Sequence, residues 1–210
     1  MSDMQYTVVL TSNVLYNISC YLERSEEDNY TGADEKEIHA NMDKEISKGN
    51  KYYEHLSTLG NEGNTIFLMS DFSSLEAMVC LRNIRGKYST RLDLNLSERW
   101  SLLQNKLSSE GVTIHSLETY QASGFSDIIR GYIPRLLYRL ILSDPMDLYI
   151  YGGALRYRAK EVLGPSHEFA KSIYNLKNSM DNEWLTISRE IVELTELNGR
   201  HELPDAKVFD

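Results

Sequence analysis

Long apolar runs are missing from this chain. No stretch approaches the roughly 18–20 consecutive apolar residues that a membrane span needs, so a soluble protein is expected. The opening Met1-Ser2-Asp3-Met4 lacks a basic region followed by an apolar block. No signal or transit peptide is therefore expected, and the cytoplasm is the expected compartment. Cysteine is scarce, with only Cys20 and Cys80. Two thiols allow at most one disulfide, and the simpler reading is a pair of reduced, buried thiols. His39, His55, His115, His167 and His201 are scattered, with no zinc-like Cys/His spacing, so no metal is expected. Positive charge is also short. Lys and Arg total 22 against 31 Asp and Glu, a net charge of −9. Such a balance argues against duplex nucleic acid, whose phosphates need a basic face. It is compatible with a small anionic nucleotide held by a few local arginines. Neither G-x-S-x-G, nor a Walker loop, nor a dinucleotide fingerprint occurs.

What is present is a chain of ordinary globular composition, 41% hydrophobic and 25% charged. Its 210 residues suit one large domain, expected over residues 1–200, with 201–210 a polar, fraying tail. Tyr6–Leu10 and Thr65–Met69 read as strands, and Val112–Leu117 as a third. Ser25–Lys36 reads as an acidic loop. Glu35–Ser47 reads as a helix stopped by Gly49-Asn50. Phe72, Leu75 and Val79, with Met78 and Leu81, recur at helical spacing, which predicts a helix over Phe72–Arg85 capped by Asp71 and ended by Gly86. Ser97–Leu107 reads as another helix. The C-terminal half reads as mostly helical: a stripe from Pro134 to Ile141, then Met146–Leu163 ended by Gly164-Pro165. A helix opening at Ser166 and an amphipathic one around Trp184–Leu194 follow. Few strands among many helices suggest an α+β domain.

Three constellations could carry chemistry. Arg82, Arg85, Arg91 and Arg99 lie within 18 positions. Arg82 and Arg85 are one helical turn apart, at a helix C-terminus where cations suit the dipole. A solvated helix end explains this cluster; so does a nucleotide grip, because guanidinium forks match phosphate and pyrimidine oxygens. Arg135 and Arg139 sit four apart in the Pro134–Ile141 stripe, and Arg139 falls between Leu136 and Leu140. Its anionic partner could equally be a structural carboxylate or a ligand. Glu54-His55 follows Tyr52-Tyr53, read as a short aromatic loop, and a lone histidine of this kind is usually structural. Gly152-Gly153 has tight helix packing as its better explanation.

In their order along the chain, these pieces resemble the flavin-dependent thymidylate synthases, from about residue 12 to 195. Gly49-Asn50, then Glu54-His55, then strand Thr65–Met69 follow that family's order. So do the Arg82-Asn83-Ile84-Arg85 helix end, Asn95-Leu96-Ser97-Glu98-Arg99-Trp100, the Pro134–Arg139 spacing and Ser166-His167. The signature's first histidine is absent, its glutamate falls on Asn95, and its early histidine falls on Asn50.

The resemblance implies a central antiparallel sheet with long helices, assembled as a homotetramer. It implies FAD as cofactor, with NADPH and methylenetetrahydrofolate as co-substrates. The implied reaction is C5 methyl or hydroxymethyl transfer to a dUMP-like pyrimidine deoxynucleotide monophosphate. By the same resemblance, Arg82 and Arg85 would be catalytic, and Ser97, Glu98, Arg99 and Arg139 would bind substrate. Asn50, His55, Asn95 and His167 would lie on the flavin side. The alternative is a catalytically silent nucleotide-binding or regulatory protein that keeps the fold.

Overall fold

The computed structural model describes residues 6–25, 35–87, 96–120, 145–157, 159–178 and 204–210. In chain order the elements are β1 (Tyr6–Leu10), α1 (Ser12–Ser25), α2 (Glu35–Asn61), β2 (Thr65–Met69), α3 (Asp71–Lys87) and α4 (Leu96–Ser109). They continue with β3 (Ile114–Ser116), α5 (Pro145–Arg156), β4 (Glu161–Leu163), α6 (His167–Asn178) and β5 (Asp205–Lys207). The chain divides into two compact units. One holds the strands with α5 and α6, and the other holds α1 to α4 together with Phe209 and Asp210.

The strand unit corrects the expected antiparallel α+β fold. Its five strands run all parallel in the order β3-β2-β1-β4-β5, an α/β arrangement that is Rossmann-like. Val8, Val9 and Leu10 pair with Glu161, Val162 and Leu163, and these in turn pair with Asp205, Ala206 and Lys207. The reason is visible in β1. Val8, Val9 and Leu10 are consecutive and all fully buried. A strand apolar on both faces belongs in a parallel sheet covered on both sides, whereas an antiparallel sheet with one wet face would alternate.

Two elements differ from the expectation for the same reason. The segment read as one helix, Met146–Leu163, is α5 followed by β4, because Glu161–Leu163 supplies the strand between β1 and β5. The tail expected to fray supplies β5. The core of this unit joins Val9, Ile66, Leu68, Leu117 and Val162 of the sheet side to Ile150, Tyr151 and Ala154 of α5 and Phe169 and Ile173 of α6. Tyr151 meets Phe169 edge-on at 5.2 Å, and its hydroxyl donates to the Pro204 carbonyl at 3.0 Å. Glu161 is buried with its carboxylate paired to the Lys207 ammonium and the Tyr6 hydroxyl.

The helical unit is built on close backbone approach. Val14, Leu15, Ile18 and Leu22 give α1 a buried stripe at helical spacing, and Tyr52, Leu56 and Leu59 do so for α2. The two helices meet at Gly49, where an added Cβ would lie 1.9 Å from the Asn17 carbonyl oxygen. Gly49-Asn50 therefore does not stop a helix. It lets α2 run on to Asn61 and touch α1, and the expected Tyr52-Tyr53 loop is helical. Gly60 makes a second close approach, 2.2 Å from such a Cβ to the Glu110 carbonyl oxygen. Phe209 packs on Tyr52 at 5.0 Å and on His55 at 5.5 Å, and its N–H donates to the Tyr52 hydroxyl at 3.3 Å.

In α3 the buried face is Ser73, Ala77 and Leu81. Of the apolar residues read from the sequence, Leu81 is buried and Met78 half-buried, while Phe72, Leu75 and Val79 lie on the outside.

Candidate functional site

Because all five strands point one way, their carboxyl ends share one edge of the sheet. β1 ends at Leu10 and is followed by Thr11. β2 is followed by Ser70, β3 ends at Ser116, and β4 is followed by Gly164. Sheet order turns at the β1–β4 pair, since β2 and β3 lie to one side of β1 and β5 lies beyond β4.

Polar side chains collect at this edge. Thr11 is buried, its N–H donates to the Leu163 carbonyl at 3.0 Å, and its hydroxyl donates to the Gly164 carbonyl at 2.6 Å. Gly164 carries a φ of 74°, a left-handed conformation that suits glycine and lets the chain turn from β4 towards α6. Ser166 caps α6, its hydroxyl accepting from the Phe169 N–H at 3.3 Å. Its own N–H donates to the buried Asp147 carboxylate in the first turn of α5, at 3.1 Å.

Glu118 gathers the other end of the edge. The fully buried Ser70 hydroxyl donates to its Oε1 at 2.8 Å. The Tyr149 hydroxyl of α5 donates to the same oxygen at 2.9 Å, and the Ser116 hydroxyl to Oε2 at 3.4 Å. A carboxylate accepting three hydroxyl hydrogens is fixed in direction. The first turn of α5 thus reaches the end of β3 through Tyr149 and the end of β4 through Asp147. Hydroxyls and carboxylates together suit a ligand rich in hydroxyl and N–H groups.

Of the residues singled out in the sequence, Asn50, His55, Arg82, Arg85, Ser97, Glu98 and Arg99 belong to the helical unit. Arg99 is 3% exposed and its Nη1 donates to the Leu81 carbonyl at 3.3 Å, tying α4 to α3. Arg82, next to Leu81, is exposed. Arg85 lies within α3, and Ser97 and Glu98 are exposed in the first turn of α4. Asn50 and His55 are five apart on α2, about 140° around the helix, and the Asn50 amide donates to Glu54 at 3.1 Å. His167 is the exposed first residue of α6. Asn95 and Arg139 lie outside the described residues, as do the Pro134–Ile141 stripe and the helix around Trp184–Leu194.

Sequence reasoning missed Thr11, Ser70, Glu118, Asp147 and Tyr149. A signal existed for two of them: Thr11 and Ser70 directly follow apolar strand runs, where strand-to-helix turns place functional groups in parallel sheets. For Arg99 the signal was its register, since Arg99, Leu103 and Leu107 are four apart and share the buried face of α4.

Cys20 is buried and Cys80 half-buried, both as free thiols, and burial pushes the Cys80 thiol up with help from the Glu76 charge. Among the described residues no His/Cys/Asp/Glu group could hold a metal ion, and no helix is long and apolar enough to cross a membrane. No protein-family model, curated protein or solved structure matches this chain.

Proposed function

We propose that this chain binds a nucleotide at the carboxyl edge of its parallel sheet, beside the β1–β4 pair. The observation that carries the reading is the reversal of strand order at that pair. In open parallel sheets, ligands bind outside the carboxyl ends of the strands at such a reversal, and nucleotides are frequent occupants. The warrant is an analogy of fold. The edge chemistry supports it: Thr11, Ser70, Ser116 and Ser166 offer hydroxyls, and Glu118 and Asp147 offer carboxylates that can accept from ribose hydroxyls or a base.

Pyrimidine C5 transfer with FAD rests on the resemblance alone, and the proposal names no reaction. The roles of Arg82, Arg85 and Arg99 play no part in it, because the sheet that would arrange them is replaced by a parallel one. A binding or regulatory protein fits the edge as well as an enzyme does.

Thermal unfolding with a panel of pyrimidine and purine nucleotides, FAD and NADPH tests the reading. A ligand at about 100 times its Kd adds about 2.7 kcal/mol of apparent stability, and Glu118→Gln should reduce that gain. If no nucleotide raises the melting temperature, the proposal fails. Absorbance near ~450 nm in the purified protein would restore a flavin to the discussion.

A further inference from the structure

We propose that the seam between α1 and α2 binds a primary ammonium group, held by Glu45 and Asn17. Two acceptor oxygens carry the inference. Oε2 of Glu45 and Oδ1 of Asn17 are both buried, and neither accepts a hydrogen bond among the described residues. Asn17 is 7% exposed. Its amide nitrogen donates to the Asn13 carbonyl at 2.6 Å, which settles which end of the amide is left over. A buried acceptor without a donor is costly, and an ionised one more so. Each such atom calls for a donor that the helices themselves do not supply.

The contacts around Gly49 bring these oxygens to one gap. Gly49 lies against the Asn17 carbonyl. One turn further along both helices, the Tyr53 ring lies 5.7 Å from the Tyr21 ring. α1 and α2 therefore advance side by side in one direction, the course of a chain that leaves the end of β1 and enters the start of its neighbour β2. One turn before Gly49, Glu45 shares its face of α2 and comes level with Asn13. The Asn17 side chain turns back to the same level, because its amide bonds the Asn13 carbonyl. Glu45 is half-buried and Asn13 exposed, so the gap opens to solvent on one side. Lys48, one turn beyond Glu45, is committed to Asp210 at 3.5 Å. The positive end of the α1 dipole offsets part of the Glu45 charge, so a single positive charge suffices. With no group of three or more His, Cys, Asp or Glu among the described residues, a divalent ion would be short of ligands. A primary ammonium carries one charge and three N–H donors. Two of them match Glu45 and Asn17, and the third stays in water.

Thermal unfolding of the full chain in methylammonium, tetramethylammonium and potassium chloride, at equal ionic strength, tests this. At ~10 times its Kd, methylammonium should raise the melting temperature by about 3–6 °C over the other two salts. Glu45→Gln should abolish that difference, because its amide N–H can donate to Asn17 in place of the ligand. Saturation-transfer NMR on the methyl signal of methylammonium reads binding directly, and Glu45→Gln should remove that signal whatever it does to stability. Equal melting temperatures in the three salts overturn the proposal, since water then serves both oxygens. So does stabilisation by potassium that equals that by methylammonium, or a methylammonium effect that Glu45→Gln leaves intact.

Discussion

The Ser70 hydroxyl, fully buried at the end of β2, donates to the Glu118 carboxylate at 2.8 Å. Ser116 and Tyr149 donate to the same carboxylate. Glu118→Ala should therefore remove more than one hydrogen bond. It takes the carboxylate acceptor from the fully buried Ser70 hydroxyl, and losing such a buried hydrogen bond costs about 1–3 kcal/mol. Glu118→Gln keeps an acceptor and should cost less. Urea unfolding of both variants reads the difference, and equal stability would show that the hydroxyls re-pair with water.

The glycines separate two effects. Gly49→Ala and Gly60→Ala drive a methyl into backbone carbonyls at 1.9 and 2.2 Å, so helices must move apart. Each should cost about 3 kcal/mol or more, as severe overpacking does. Gly63 has open space but a φ of 74°, so Gly63→Ala should cost only about 1 kcal/mol of backbone strain. Gly152 is helical with nothing within 4 Å. Gly152→Ala should gain about 0.5–1 kcal/mol through helix propensity. Denaturant midpoints ordered differently would contradict this account.

Alkaline pH offers a third measurement. Burial, then the Asp205 charge, raises the Tyr151 hydroxyl well above its ordinary value. The fold thus favours the neutral phenol, while the unfolded chain ionises near pH 10. The contribution is complete below about pH 10 and is lost as pH rises above it. Tyr151→Phe should lose about 1 kcal/mol at neutral pH with its bond to the Pro204 carbonyl, and should fall less steeply in alkali. Parallel stability curves for the two chains between about pH 8 and 11 would rule the mechanism out.

Arg99→Ala should lower stability by about 1–3 kcal/mol, because the buried guanidinium supports the Leu81 carbonyl and fills the α3–α4 contact. Nucleotide binding at the sheet edge should persist in the surviving folded protein. A variant with unchanged melting temperature and lost nucleotide binding would return Arg99 to a ligand role.

Much of the described local structure was legible in the sequence. β1 and β2 fall on Tyr6–Leu10 and Thr65–Met69 as read, α4 and α6 lie close to where apolar spacing and caps put them, and α3 runs through Gly86, its expected stop, to Lys87. Pairing was not legible. β4 is three residues long and follows a helix closely, so periodicity alone merges Glu161–Leu163 into that helix. The unbroken apolar runs of β1 and β2 carry the mark of a parallel sheet, whereas the antiparallel expectation comes from the resemblance alone. The sheet-edge residues were hidden for another reason. Ser70, Glu118 and Asp147 are ordinary polar residues whose meaning comes only from strand order, which no local spacing encodes.

The β1–β4 pair also has a kinetic consequence. Thr11 bonds to Gly164 across 153 positions of sequence, so β1 is synthesised well before the strand it pairs with and waits for it. Parallel pairing over such a separation is slow, because a long loop must close before any contact repays it. During that wait the Val8–Leu10 edge is an unpaired apolar strand, the kind of surface on which nascent chains aggregate. Folding yield should therefore depend more on how quickly Glu161–Leu163 arrives at β1 than on how strongly the finished sheet is held.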